Sequence, residues 1–141
     1  MMRQRAEIAA ELVKLKVDVV VTWGTASTIA AKQATSVIPV VTAAMGAPLG
    51  TGIVASLARP GGNVTGLSAV VTDLAGKRFE SLREVVPGLR RLTILFNVDS
   101  PASLLDMRAA QAAAETVGLR VATSEIRQSK DIASAFSAPT R

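Results

Sequence analysis

The stretch Ser56-Leu57-Ala58-Arg59-Pro60-Gly61-Gly62-Asn63-Val64-Thr65-Gly66-Leu67-Ser68 constrains this chain more than any other. Pro60 lacks an N–H and disfavours helix at Arg59, so a helix must stop there. Gly61-Gly62-Asn63 can take positive φ, which lets the chain turn sharply. Val64 to Val71 is then apolar and rich in Val, Thr and Leu, as an extended segment requires. The stretch therefore reads as a helix end, a stop, a turn and a strand. Two helix–strand units precede it and two follow. This places a crossing at about 64–71 between an α/β lobe over 1–67 and a second over 68–141.

Within the first lobe, Ile8, Leu12 and Leu15 recur at helical spacing and predict a helix over 3–16. Val17 to Thr22 is a short β-branched run, and Ile38-Pro39-Val40-Val41-Thr42 is another. Their near-continuous hydrophobicity suits parallel strands covered on both faces. Between them a helix is predicted over 27–35. Ala43 to Gly52 holds Gly46, Pro48, Gly50 and Gly52 and reads as a long loop. A short helix over 53–58 leads into the stop.

The second half repeats the logic. Phe79, Leu82 and Val86 give 73–86 an apolar face, with Thr72 or Asp73 as its cap. Leu92 to Phe96 is a strand ending at Asn97. Ser100-Pro101 supplies a cap and an N1 proline, and Gly118 a C-terminal stop. Leu119 to Ile126 is a further strand, and a last helix runs over 130–136. Alternating helices and strands predict parallel sheets with crossover connections.

The composition excludes several chemistries. The 141 residues contain no cysteine and no histidine, so thiolate chemistry and the commonest general base are absent. Asp18, Asp73, Glu80, Glu84 and Asp99 form no catalytic pair. No G-x-G-x-x-G follows a strand and no Gly-Lys-Ser/Thr occurs, so neither dinucleotide nor P-loop binding is indicated. The net charge of +5 raises nucleic acid as a partner. The basic residues, however, are spread over several elements and no tract interleaves them with aromatics. The chain therefore reads as a protein without catalytic residues, metal, cofactor or nucleic-acid partner. Glu7, Glu11, Lys14 and Lys16 interrupt any apolar leader at the N-terminus.

Ligands of open parallel sheets bind beyond the carboxyl ends of the strands. Three loops stand there. Gly24, Thr25, Ala26 and Ser27 combine close backbone approach, hydroxyls and a helix N-terminus able to receive a carboxylate. On spacing alone, Thr25 or Ser27 serves equally well as a plain helix cap. Gly46 and Pro48 shape either a ligand-facing loop, with Gly46 and Ala47 at the ligand, or a plain turn. Asn97 either meets a ligand from the second lobe or closes a turn of its own. Trp23 either stacks on a ligand or packs against neighbouring loops.

Three strings carry a family resemblance: Glu11-Leu12-Val13-Lys14-Leu15-Lys16-Val17-Asp18-Val19-Val20-Val21-Thr22, Ala30-Ala31-Lys32-Gln33-Ala34-Thr35, and Gly52 through Gly66. Lys77-Arg78 adds to them. The chain resembles the substrate-binding proteins of ABC transporters, in the branch with tryptophan- and tyrosine-type members. The resemblance implies α/β, Rossmann-like three-layer lobes with parallel sheets, the type I periplasmic-binding fold. It also implies a non-enzymatic, periplasmic protein that closes on a small solute, such as an amino acid, and hands it to an ABC permease. The alternative is the ligand-sensing domain of a transcription regulator with the same fold. Three positions depart from the family pattern: Ala26 replaces Pro in Gly-Thr-Pro, Ala47 replaces Asp in Gly-Asp-Pro, and Val98 replaces Pro in Asn-Pro. Family members are considerably longer, so the resemblance implies that both lobes are incomplete. Val19, Val20, Val40 and Val41 would then lie on or beside an unpaired edge, and such a fragment is expected to self-associate or to fold poorly.

Overall fold

In the computed structural model, which describes residues 2–69 and 73–137, the chain divides into two units, 1–69 and 70–141. The first unit carries α1 (Met2–Lys14), β1 (Val20–Thr22), α2 (Thr25–Ala34), β2 (Val40–Met45) and β3 (Val64–Ser68). Its sheet has the order β1-β2-β3 and is parallel throughout. Val20, Val40 and Val64 stand side by side in register, and all three are buried. Ala31, Ile53 and Val54 pack on this row, with Leu12, Val17 and Ile29 around it. Burying such a cluster is the main favourable term in holding the unit together.

Period-two alternation sends Val19, Val21, Val41 and Leu67 to the opposite face. All four are exposed, Val21 at 70% and Leu67 at 68%. Among the described residues only one face is covered. Among the described residues β1 pairs with β2 alone, so Val20 lies on an edge strand, and Val40 and Val41 lie beside it in β2, with their main chain paired on both sides.

The segment before the proline stop forms no helix, contrary to the expectation for 53–58. Its amides are drawn elsewhere. Ile53 and Val54 donate to Pro48 O at 3.0 and 3.4 Å, and Ala55 donates to Pro60 O at 3.1 Å. Ser56 Oγ accepts from Arg59 N and donates to Arg59 O, closing a local turn. Lys32 Nζ donates to Gly52 O and Ile53 O at 2.8 and 2.7 Å, tying the segment to α2. The parallel connection from β2 to β3 therefore contains no helix, so strict alternation fails there.

The turn after Pro60 forms as the sequence predicts, with Gly61 at φ 77°. Asn63 acts differently, through its side chain. Nδ2 donates to Thr35 O and Ile38 O, both at 2.9 Å, binding the start of β3 to the end of α2. Gly66 is the tightest position in the unit. A Cβ there would lie 2.1 Å from Thr42 O.

The second unit carries α3 (Ala75–Val85), β4 (Arg91–Asn97), α4 (Pro101–Thr116), β5 (Arg120–Ile126) and α5 (Asp131–Ser137). β4 and β5 pair in parallel over seven residues without a break. Ser100 caps α4 by accepting from Ser103 N, with Pro101 behind it as predicted. Gly118 takes the expected left-handed turn, at φ 76°. The expected cap of α3 is not Asp73: Leu74 holds that place, without a side-chain bond. Thr72, the alternative cap, and Val70 and Val71 of the crossing lie outside the described residues.

Between α3, β4 and α4 lies a cavity of about 370 Å³, lined by Phe79, Leu82, Ile94 and Met107 among others. Asp106 Oδ1 is enclosed there with no hydrogen-bond partner among the described residues. Burial pushes the Asp106 pKa up, and the Arg78 charge only partly opposes it. The ionised carboxylate is therefore less favourable in the fold than in the unfolded chain, so this group's contribution to stability falls as pH rises through its folded pKa.

Two outcomes follow for stability. Gly66→Ala should cost about 3 kcal/mol or more, because the methyl meets backbone and not a yielding side chain; urea unfolding reads the loss, and an unchanged midpoint would contradict the close approach. Asp106→Asn should raise the thermal midpoint at neutral pH, with the gain shrinking below the ordinary aspartate range near about pH 4. A gain independent of pH would show that charge burial is not the cause.

Candidate functional site

In the first unit, β1 and β2 both end at one rim. Gly24 follows β1 with φ 81°, a conformation open to glycine at little cost. It serves as the N-cap of α2 through its backbone alone, with no capping side chain. The helix thus starts at Thr25, two residues earlier than the spacing predicts. Gly24 N donates to Ala44 O at 2.8 Å, so the turn is anchored on β2. The amides of Thr25, Ala26 and Ser27 have no acceptor among the described residues, as the first turn of an uncapped helix requires.

The Thr25 hydroxyl is committed within the protein. It donates to Gly46 O at 3.1 Å and accepts from Gly46 N at 3.0 Å. Thr25 is buried, so it offers no free hydroxyl at the surface. It positions the loop after β2 against α2. Ser27 is half-buried, and its hydroxyl has no partner among the described residues. Ala26, also half-buried, completes the turn. The next residue of the rim, Ala47, holds φ 44°. This is the left-handed region, which costs a non-glycine residue about 1–2 kcal/mol. Its carbonyl accepts from Thr51 N and Thr51 Oγ1, at 3.0 and 2.9 Å, which holds the turn.

Beneath this rim lies a set of buried hydroxyls that the sequence reading did not single out. Thr28 Oγ1 stands 2.9 Å from Thr22 Oγ1, 3.2 Å from Thr42 Oγ1 and 3.0 Å from Gly24 O. Thr28 is fully buried and its amide also donates to Gly24 O. One hydroxyl thus joins β1, β2 and the first turn of α2. The sequence carried a signal: Thr22 and Thr42 close two otherwise apolar runs, at positions that pair in register. Trp23, in contrast, is 75% exposed beside the rim, so it does not pack against neighbouring loops.

The structure brings Gly24, Thr25, Ala26, Ser27, Gly46 and Ala47 together at this rim. Asn97 belongs to the second unit, at the carboxyl end of β4. Its Oδ1 accepts from Asp99 N at 2.9 Å, a turn of its own. Its amide donates to Ser103 Oγ at 3.2 Å, and its Nδ2 has no partner among the described residues. Farther along, Arg127 pairs with Asp99, and Asp131 accepts from the amides of Arg127 and Gln128. Those amide bonds hold the Asp131 carboxyl below the usual aspartate range.

Among the described residues, no group of three His, Cys, Asp or Glu side chains could hold a metal ion. No described helix is long and apolar enough to cross a membrane. What the first rim can do is accept an anion: three free amides, a helix N-terminus and a free hydroxyl lie within one turn.

Comparison with known proteins gives this geometry a context. Residues 2–141 match the sequence profile of a family described as ABC transporter substrate binding protein. Over 130 residues the chain is 28% identical to a tyrosine-binding protein of Clostridioides difficile, covering 92% of this chain and 37% of that one. The crystal structure of an ABC domain in complex with L-Trp, from Streptococcus pneumonia, aligns with TM-score 0.88 and 29% identity. A conserved domain protein of Vibrio cholerae aligns with TM-score 0.91 and 27% identity. Each alignment covers 96% of this chain and 45% of the other. The chain thus spans less than half the length of the relatives it matches.

Proposed function

The chain belongs to the family of ABC transporter substrate-binding proteins, and from that premise we propose that it captures an amino acid for delivery to an ABC permease. The observation that carries this reading is the uncapped first turn of α2. The amides of Thr25, Ala26 and Ser27 are free there, and the Ser27 hydroxyl lies beside them. An α-carboxylate supplies the charge and the acceptor atoms that such a turn favours. Gly24 and the Thr25–Gly46 pair leave the backbone bare and hold it in place. Asn97, with a free Nδ2, is proposed as the polar contact from the second unit.

The solute class is argued from the relatives and from Trp23. One relative is named for tyrosine and another holds L-Trp. The exposed indole of Trp23 beside the rim suits a planar side chain, since offset stacking contributes about 0.5–1.5 kcal/mol beyond area burial. The proposed role is binding without chemical turnover, on the periplasmic side of the membrane. Ligand energy goes into selecting the closed state, by the difference in affinity between open and closed forms.

Calorimetric titration with L-tryptophan, L-tyrosine and the remaining amino acids tests the reading. Saturable binding of an aromatic amino acid is expected. Ser27→Ala should weaken it by about 1 kcal/mol, the worth of one hydrogen bond. Heat with none of the amino acids would count against the proposed ligand class.

A further inference from the structure

Three threonines from three elements meet beneath the rim, and solute capture as stated assigns them no part. Thr22 closes β1, Thr42 lies in β2 and Thr28 stands in the first turn of α2. All three are buried, Thr28 and Thr42 at 0 and 1% exposure, and their bonds are met within the unit.

Proton counting fixes how they are joined. Each hydroxyl brings one proton, and the Gly24 carbonyl is the partner that can only accept. If Thr28 donated to Thr22 or Thr42, the proton of that hydroxyl would face no acceptor among the described residues. A buried donor left unmet costs about 1–3 kcal/mol. All three protons are placed when Thr28 Oγ1 donates to Gly24 O at 3.0 Å and accepts from Thr22 Oγ1 and Thr42 Oγ1, at 2.9 and 3.2 Å. The same carbonyl accepts from Thr28 N at 3.2 Å. Gly24 C=O and Thr25 N–H belong to one peptide group, and Thr25 N is the first free amide of α2. Hydrogen bonds in a chain polarise one another, so donors on the oxygen of this peptide strengthen its N–H as a donor.

We propose that Thr28 is a positioning residue for carboxylate capture, a role that presupposes that this turn receives an α-carboxylate. Fed by Thr22 and Thr42, it orients and polarises the Gly24–Thr25 peptide and makes Thr25 N–H the strongest donor of the turn. A threonine bonding to the carbonyl four residues back is an ordinary habit of helices. Here the hydroxyl also receives a donor from each of two strands, so the sheet itself is coupled to the amide that meets the anion.

Nitrogen–proton NMR of the 141-residue chain, with titration by L-tryptophan and by L-tryptophanamide, which lacks the carboxylate charge, provides the test. In the free chain the Thr25 amide proton should move upfield in Thr28→Val, by less in Thr22→Val, and hold its place in Thr28→Ser. Thr35→Val removes a hydroxyl at the other end of α2 and should leave that signal in place. The preference for L-tryptophan over its amide should fall about three- to tenfold in Thr28→Val, the worth of one hydrogen bond, and return in Thr28→Ser. A Thr28→Val chain that loses thermal stability yet keeps the Thr25 signal and the ligand preference has lost packing alone, which overturns the proposal. So does a moved signal with an unchanged preference, or a signal that moves equally in Thr35→Val. Where Thr28→Val does not fold, Thr22→Val decides, and an unmoved Thr25 proton overturns the coupling. If neither ligand binds the wild-type chain, the solute reading fails, whereas the Thr25 signal still decides whether Thr28 governs the turn.

Discussion

The approach of β3 to β2 at Gly66 is the constraint from which the first unit follows. A Cβ at that position would lie 2.1 Å from Thr42 O, so only glycine lets the two strands pair there. The pairing sets Val64 beside Val40 and holds Thr42 in place. Thr42 Oγ1 in turn lies 3.2 Å from Thr28 Oγ1, and Thr28 bonds to Gly24 O through both amide and hydroxyl. A contact inside the sheet thus decides where the first turn of α2 stands and which amides it leaves open. Buried hydroxyls are costly when unpaired, so this chain of partners has few alternative arrangements.

The same sheet divides its positions by parity. Even-numbered positions of β1 and β2 carry the buried valines and threonines that hold the rim. Odd-numbered positions carry the exposed row of Val21, Trp23 and Val41. The proposed solute capture uses the carboxyl ends of these strands.

Much of this architecture was legible in the sequence because it rests on local chemistry. Ser100-Pro101 and Gly118 delimit α4 by cap and stop, and the structure places them so. The β-branched runs form strands, and the turn at Gly61 forms where the proline stop demands it. The misreadings have a common cause in distant partners. A short helix is predicted over 53–58, but the amides of Ile53 and Val54 find Pro48 O. Thr25 looks like a free hydroxyl, but Gly46, 21 residues away, takes both its lone pair and its proton. Lys32 likewise finds distant partners, its ammonium holding Gly52 O and Ile53 O.

The central claim is that the rim of β1 and β2 is held rigid before any solute arrives. Amide hydrogen exchange at Gly46 tests it most directly, because that amide donates to the Thr25 hydroxyl and not to a strand. The account predicts that Gly46 exchanges as slowly as Val40, inside the sheet, while Ser27, whose amide has no acceptor, exchanges quickly. Exchange of Gly46 at the rate of an open loop would contradict it.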